Sequence, residues 1–150
     1  MKLEGSYRFD VSRKDLWSRL MDPEAVAACM PGCRKLTPLA VDRFEVVLQV
    51  GIGAISGSYT GTVSITDKEE PASYRMTVEG KGARTTISGT GTVTLAEAGD
   101  GSDLRFEGEA NVTGMLARVG QRLIGTVARA QIKQFFECMR SKDVVGPLPR

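Results

Sequence analysis

Apolar and polar residues alternate strictly in three segments of the chain, residues 58–66, 86–95 and 104–112. A period of two places the apolar side chains on one face of an extended strand, so this pattern predicts strands that are buried on one side. The apolar faces comprise Tyr59, Gly61, Val63 and Ile65, then Ile87, Gly89, Gly91, Val93 and Leu95, then Leu104, Phe106, Gly108, Ala110 and Val112. In the first two segments the opposite face is serine and threonine throughout.

Four of these inward positions are glycine, namely Gly61, Gly89, Gly91 and Gly108. Glycine inside a strand lowers stability, because it adds backbone entropy to the unfolded chain and offers no side chain for packing. One interpretation is that the missing side chains leave room for an apolar guest. The other is that the glycines let a strongly twisted sheet bend and coil. The sequence leaves both interpretations open.

Capping and turn residues divide the rest of the chain. Ser12 with Asp15 resembles a capping box that begins a short helix, and Asp22 followed by Pro23 begins a second one. Turn signals between apolar runs predict strands at residues 3–11, 34–39, 43–50, 56–66, 73–79, 84–95 and 103–113. We therefore expect seven strands in antiparallel order, with two short helices after the first strand.

The segment from Met115 to about Arg140 contains no proline and predicts one helix of roughly 40 Å, long enough to cross a sheet. Its apolar positions recur at about 100° per residue. The face expected to meet the sheet carries Leu116, Val119, Leu123, Val127, Ala130 and Cys138.

A second face of this helix is basic. This face, the basic stripe, consists of Arg118, Arg122, Arg129, Lys133 and Arg140, with Phe136 projecting into the same arc. Cations beside an apolar side chain are typical of surfaces that meet anionic lipid or an acidic protein. The alternative is a solvated helix face.

Composition argues against several classes of function. The chain has 150 residues, 41% of them hydrophobic and 25% charged, which is typical of one soluble domain. A net charge of +2, without aromatic pairs flanked by basic residues on the strands, does not indicate a nucleic-acid partner. No apolar run is long enough to span a bilayer and no secretory signal precedes the first strand. We therefore expect a cytoplasmic location.

The chain has no histidine and three cysteines. Without histidine it lacks the commonest general base and the commonest zinc ligand. Cys29 and Cys33 are separated by Pro31 and Gly32 and have no further soft ligands, so no metal site is expected. An odd number of cysteines in a chain without a secretory signal predicts reduced thiols.

Five segments of the sequence carry a family resemblance. They are DPEAVAACMPGC at 22–33, VGIGAISGSYTGTVSI at 50–65, EGKGA at 79–83, GMLARVGQRLI at 114–124 and QFFE at 134–137. In order and spacing they resemble the CoxG family, the G subunits of carbon monoxide dehydrogenase, in the START-like, or SRPBCC, superfamily. The resemblance implies an α+β helix-grip fold, in which a curved antiparallel sheet wraps around a long C-terminal helix. We expect one such domain over residues 1–143, followed by a loose tail at 144–150.

The resemblance also implies a function. Members are small non-enzymatic accessory proteins, often associated with molybdenum-containing hydroxylases, that bind a hydrophobic molecule and help the enzyme reach the membrane or its quinone pool. We therefore expect an apolar ligand such as a lipid or quinone, no tightly bound cofactor, and peripheral contact with the inner face of the membrane. The docking residues expected are those of the basic stripe together with Phe136.

Periodicity, rather than any motif, indicates which residues line the cavity. They are Val26, Cys29, Phe44, Val46, Leu48, Tyr59, Met76, Val78, Gly89, Gly91, Phe106, Leu116, Val119, Leu123 and Val127. Two alternatives remain. The protein could be an interaction module with a solid interior that docks an acidic partner through the basic stripe. It could also be a cyclase- or hydrolase-like enzyme, although the inward positions offer only Tyr59, Tyr74 and Cys29 as titratable groups.

Overall fold

The computed structural model describes residues 1–140, which form a seven-stranded antiparallel sheet and three α-helices. The elements in chain order are β1 (Lys2–Phe9), α1 (Arg13–Leu20), α2 (Pro23–Cys29), β2 (Cys33–Ala40), β3 (Arg43–Val50), β4 (Gly57–Glu69), β5 (Ser73–Gly82), β6 (Thr85–Ala98), β7 (Gly101–Gly114) and α3 (Gln121–Arg140). Two 3-10 helices, Gly53–Ile55 and Met115–Val119, precede β4 and α3. The predicted tail at 144–150, like the predicted domain end at 143, lies outside the described residues.

The spatial order of the strands is β1-β7-β6-β5-β4-β3-β2. Strands β2 to β7 follow one another as the predicted meander, whereas β1 pairs with β7, with Lys2 opposite Glu109 and Phe9 opposite Ser102. Helices α1 and α2 carry the chain from one edge of the sheet to the other. A curved sheet with a C-terminal helix across it is the helix-grip architecture, so the predicted fold class is confirmed.

Both predicted helix starts are confirmed by their caps. The Ser12 hydroxyl accepts a hydrogen bond from the Asp15 amide at 3.2 Å, and the Asp22 carboxylate accepts one from the Glu24 amide at 3.0 Å. These bonds satisfy amide groups that lack a partner in the first turn of a helix. In the last turn of α1, the Arg19 guanidinium donates to the Met139 carbonyl at 2.9 Å and ties α1 to the last turn of α3.

The main core lies between α1, α2, the end of α3 and the β1–β7–β6 side of the sheet. Its buried side chains are Leu3, Phe9, Leu16, Trp17, Leu20, Ala25, Cys29, Tyr74, Val93, Leu95, Leu104, Phe106, Phe136 and Met139. A smaller cluster of Ile55, Leu116 and Ile124 joins the 3-10 helices to the start of α3. Within residues 1–140, no helix has both the length and the hydropathy needed to cross a membrane.

The prediction of one continuous helix from Met115 was wrong. Gly120 has a φ of +95°, and this left-handed residue separates the 3-10 helix Met115–Val119 from α3. The predicted inward face was right only in part: Leu116 is buried and Val119, Val127 and Cys138 pack against the core clusters. Leu123, which is 42% exposed, and Ala130 face outward, whereas Ile124, Phe136 and Met139 are buried. Apolar residues occur on two neighbouring faces of α3, and the contacts with the rest of the protein determine which face is buried.

The prediction that all cysteines are reduced was also wrong, because Cys29 in α2 and Cys138 in α3 form a disulfide. Their Cα atoms are 5.3 Å apart, although 109 positions separate them in the sequence. Packing of α3 against α2 brings the two thiols together, a proximity that the sequence alone does not reveal. Cys33, at the start of β2, is free and partly buried.

Candidate functional site

A partly open cavity of about 390 Å³ lies between the inner face of the sheet and the helices α2 and α3. Strands β3, β4 and β5 form its floor, and the two helices form its walls. The lining side chains are almost entirely aliphatic or aromatic. The floor carries Phe44, Val46, Leu48, Tyr59, Gly61, Val63, Ile65, Tyr74, Met76, Val78 and Gly80, and the walls carry Val26 and Met30 of α2 and Gln131, Ile132, Phe135 and Phe136 of α3.

The position of α3 explains why the space remains open. The main backbone neighbours of α3 are β1, α2 and the 3-10 helix Met115–Val119, so the helix lies toward the β1 side of the sheet. Phe136 fixes this position, since its ring centroid lies 4.8 Å from that of Tyr7 and 6.3 Å from that of Phe106. The apolar faces of β3, β4 and β5 are thereby left without a helix packed directly against them.

The inward glycines differ in what occupies the space beside them. A Cβ atom at Gly91 would lie 2.8 Å from the Phe106 ring, and one at Gly108 would lie 3.1 Å from it. The aromatic ring therefore fills the space that this cross-strand pair leaves, and no cavity results there. Gly61 lines the cavity and also permits close approach of β5, because its Cβ would lie 2.6 Å from the Glu79 carbonyl oxygen.

Eight of the fifteen residues predicted to line the cavity lie on its wall. They are Val26, Phe44, Val46, Leu48, Tyr59, Met76, Val78 and Phe106. The other seven lie elsewhere. Cys29 is in the disulfide, and Gly89 and Gly91 are on β6 outside the cavity. Leu116, Val119 and Val127 belong to the smaller cluster, and Leu123 is exposed. Leu116 and Val119 lie on the 3-10 helix and Val127 lies on α3, and all three pack inward away from the cavity.

Several wall residues were not among the predicted lining set. Val63, Ile65 and Ile87 belong to the inward rows of the alternating strands, so the pattern itself could have identified them. Leu20, Met21, Met30, Pro31 and Leu36 come from helix ends and from the edge strand β2, where no periodic signal exists. Gln131, Ile132 and Phe135 could be found only once the orientation of α3 was known.

Two of the polar side chains at the wall have partners within the protein. Asp42, at the end of the floor, forms an ion pair with Lys68 at 2.8 Å. The Tyr59 hydroxyl donates to the Ile55 carbonyl at 3.2 Å. In residues 1–140, no group of three or more cysteine, aspartate or glutamate side chains is arranged to hold a metal ion.

The basic stripe is exposed, except for the aromatic residue assigned to it. Arg118, Arg122, Arg129 and Lys133 are exposed, and none has a carboxylate within 4 Å in the described part of the chain. Arg140 differs, because it pairs with Glu137 at 3.7 Å and donates to the Arg8 carbonyl at 3.4 Å.

The prediction that Phe136 projects into this surface was wrong. Phe136 is only 4% exposed and packs among Tyr7, Phe106 and Phe135. On a helical wheel, Phe136 lies next to the residues of the basic stripe. Its side chain nevertheless belongs to the edge of the helix face that packs against the core. The exposed stripe therefore contains cations without this apolar contact.

The sequence and the fold both have relatives. The family model for the G subunit of carbon monoxide dehydrogenase (CoxG) matches residues 5–143. A conserved protein from Geobacillus kaustophilus is 31% identical, with a TM-score of 0.91 over 97% of this chain and 95% of that chain. A protein from Chromobacterium violaceum is 14% identical, with a TM-score of 0.70 over 93% of this chain and 94% of its own, and shares the fold. No curated protein matches the sequence.

Proposed function

Because the chain belongs to the CoxG family, the G subunits of carbon monoxide dehydrogenase, we propose that it is a non-enzymatic accessory protein that carries an apolar molecule in its cavity. The ligand class is a lipid or a quinone. The enzyme it serves is a molybdenum-containing hydroxylase of the carbon monoxide dehydrogenase type, as the family name suggests. In this role the protein would bring the enzyme and its apolar partner molecule together at the inner face of the membrane.

The cavity is the observation that supports this proposal. A volume of about 390 Å³ is within the range of small-molecule sites and far exceeds the small voids of a packed protein interior. Its wall is almost free of hydrogen-bonding groups, so water inside it gains few partners. An apolar guest would remove both its own surface and that of the wall from water, which favours binding.

Filling the cavity from Gly80 tests the proposal. A Cβ at Gly80 would meet its nearest neighbours at 3.6 to 3.9 Å, which is ordinary van der Waals contact, and the residue lies on the cavity floor. We expect Gly80→Leu to weaken uptake of an apolar fluorescent probe, N-phenyl-1-naphthylamine, at least tenfold because its side chain occupies the space of the guest. Fluorescence titration measures this change, and circular dichroism checks that the fold is retained.

Gly80→Ala is the matched control, because its methyl group fits without occupying the cavity. This variant should bind the probe about as well as the unaltered protein. The carrier function would be contradicted if the unaltered protein took up no probe and retained no lipid or quinone on native mass spectrometry after gentle purification. It would also be contradicted if Gly80→Leu bound the probe with unchanged affinity.

The exposed cations favour a second candidate function, docking to an acidic partner protein. Arg118 of the 3-10 helix and Arg122, Arg129 and Lys133 of α3 are exposed and have no carboxylate within 4 Å in residues 1–140. Such charges create a positive potential that attracts anionic surfaces and speeds association. Docking and carrying are compatible, but docking alone would not need the cavity. Substitutions in the basic stripe that leave the cavity residues intact distinguish the docking function from the carrier function.

Reversing the charge of Arg118, Arg122 and Arg129 to glutamate is the corresponding experiment. Taking about 1 kcal/mol per charge, we expect at least a hundredfold weaker association with the hydroxylase at low salt. Surface plasmon resonance measures this association, and sedimentation with anionic vesicles tests the membrane as the other acidic surface. Uptake of the apolar probe should not change.

The control carries the same change in net charge at another surface, with glutamate at Arg34, Lys35 and Lys81. These residues are exposed on β2 and β5. If this variant lost association to the same degree, net charge rather than the stripe would be responsible. Docking through the stripe would then be excluded.

A further inference from the structure

Five side chains on the cavity wall carry hydrogen-bonding groups, and they differ in how those groups are satisfied. They are Asp42, Tyr59, Thr60, Tyr74 and Gln131. Asp42 is paired with Lys68, the Tyr59 hydroxyl donates to the Ile55 carbonyl, and Thr60 is exposed on the outer row of β4. Among the wall side chains that are not exposed, Tyr74 and Gln131 are the two whose polar groups have no hydrogen-bond partner within residues 1–140.

Tyr74 is the buried member of this pair. Only 5% of its surface is exposed, and its ring meets the Trp17 ring edge-on with the centroids 5.6 Å apart, so the orientation of the phenol is fixed. Every side-chain oxygen or nitrogen in residues 1–140 that is sealed from solvent has a hydrogen-bond partner. The Tyr74 hydroxyl has no such partner, so its oxygen must border open space. The open space that this side chain lines is the cavity.

Burial also fixes the protonation state of Tyr74. Desolvation disfavours the phenolate and raises the pKa of this side chain further above its ordinary value of 10.0. The group is therefore a neutral O–H donor throughout the neutral and mildly alkaline range. A donor that faces an otherwise apolar cavity without a partner in the protein favours a guest that supplies an acceptor.

From this arrangement we infer that the Tyr74 hydroxyl donates a hydrogen bond to a carbonyl oxygen of the bound molecule. The ligand class is then an apolar compound that carries a ketone, ester or quinone carbonyl, in contrast to a plain hydrocarbon. The inference rests on the proposed carrier function and adds that the carried molecule has a carbonyl group. Gln131 lies on the α3 wall among partly buried residues and is a weaker point of recognition, because water competes for its amide.

A pair of isosteric ligands tests the inference. Methyl hexyl ketone and the alkene in which a CH₂ group replaces its carbonyl oxygen have nearly the same shape, and each can be titrated against bound N-phenyl-1-naphthylamine. In Tyr74→Phe we expect the dissociation constant of the ketone to rise about fivefold to tenfold, because one buried hydrogen bond is lost. The dissociation constant of the alkene should stay the same or fall.

Tyr7→Phe is the matched control, because it removes a phenol hydroxyl from a tyrosine that does not line the cavity. It should leave the preference for the ketone unchanged. Tyr74→Phe should also leave thermal unfolding of the ligand-free protein unchanged or raise its midpoint, since the hydroxyl makes no bond there.

The outcomes separate this inference from the function on which it rests. If both compounds displace the probe and Tyr74→Phe alters them equally, or alters neither, the carbonyl contact is overturned while the carrier function stands. If the unaltered protein binds neither compound nor the probe, the carrier function is overturned and the inference with it.

Discussion

Replacing Phe136 with alanine is expected to lower the free energy of unfolding by about 3 to 5 kcal/mol. The ring is 4% exposed and contacts three other aromatic rings, Tyr7, Phe106 and Phe135, so its removal leaves a void that β1, β7 and α3 cannot easily close. The void would also merge with the ligand cavity, because Phe136 lines it. Urea denaturation followed by tryptophan fluorescence measures the change.

Lys133→Ala is the control on the same helix. Lys133 is exposed and makes no ion pair in the described residues, so its removal should alter stability by less than about 0.5 kcal/mol. A loss below about 1 kcal/mol for Phe136→Ala would contradict the burial of this ring. It would restore the interpretation of Phe136 as part of a docking surface.

Removing the disulfide is the second change expected to have a large effect. In the oxidised protein the bond closes a loop of 109 positions, and the entropy model gives about 3 to 5 kcal/mol of stabilisation for a loop of this size. We expect the double variant Cys29→Ala and Cys138→Ala to lose this amount. Alanine is preferred to serine because a buried hydroxyl without a partner would add its own penalty.

Urea denaturation of the oxidised protein, with and without dithiothreitol, gives the same quantity by an independent route. Reduction should lower the midpoint of the unaltered protein and leave that of the double variant in place. Cys33→Ser is the control, since this cysteine is free, and it should respond to reductant as the unaltered protein does. Equal midpoints for the oxidised protein and the double variant would show that the bond contributes nothing.

The alternation of apolar and polar residues was sufficient to predict the strands of the sheet. The alternation at Tyr59, Gly61, Val63 and Ile65 identified a face that does line the cavity, because the period of a strand leaves only two possible orientations. Capping residues marked the starts of α1 and α2 for a similar reason, since their hydrogen bonds span only two or three residues. The strands β3 to β5 supplied most of the correctly predicted wall.

The orientation of α3 required information that is absent from its own sequence. Leu123 and Ile124 are adjacent and both apolar, yet the first is exposed and the second is buried. A helix offers a continuous range of orientations, so the choice between neighbouring arcs depends on Tyr7, Phe106 and α2. The pairing of Cys29 with Cys138 depends on the same packing. Both features were missed because they are properties of tertiary contact between distant segments.

The pairing of β1 with β7 has a consequence for biosynthesis. Lys2 and Phe9 find their partners about a hundred residues further along the chain, at Glu109 and Ser102. At a translation rate of about 5 to 20 residues per second, the first strand waits roughly 5 to 20 seconds for the seventh to emerge. Until then Leu3 and Phe9 lack their partner strand β7, so the sheet can be built from the β2 edge across to β7 before β1 completes the opposite edge.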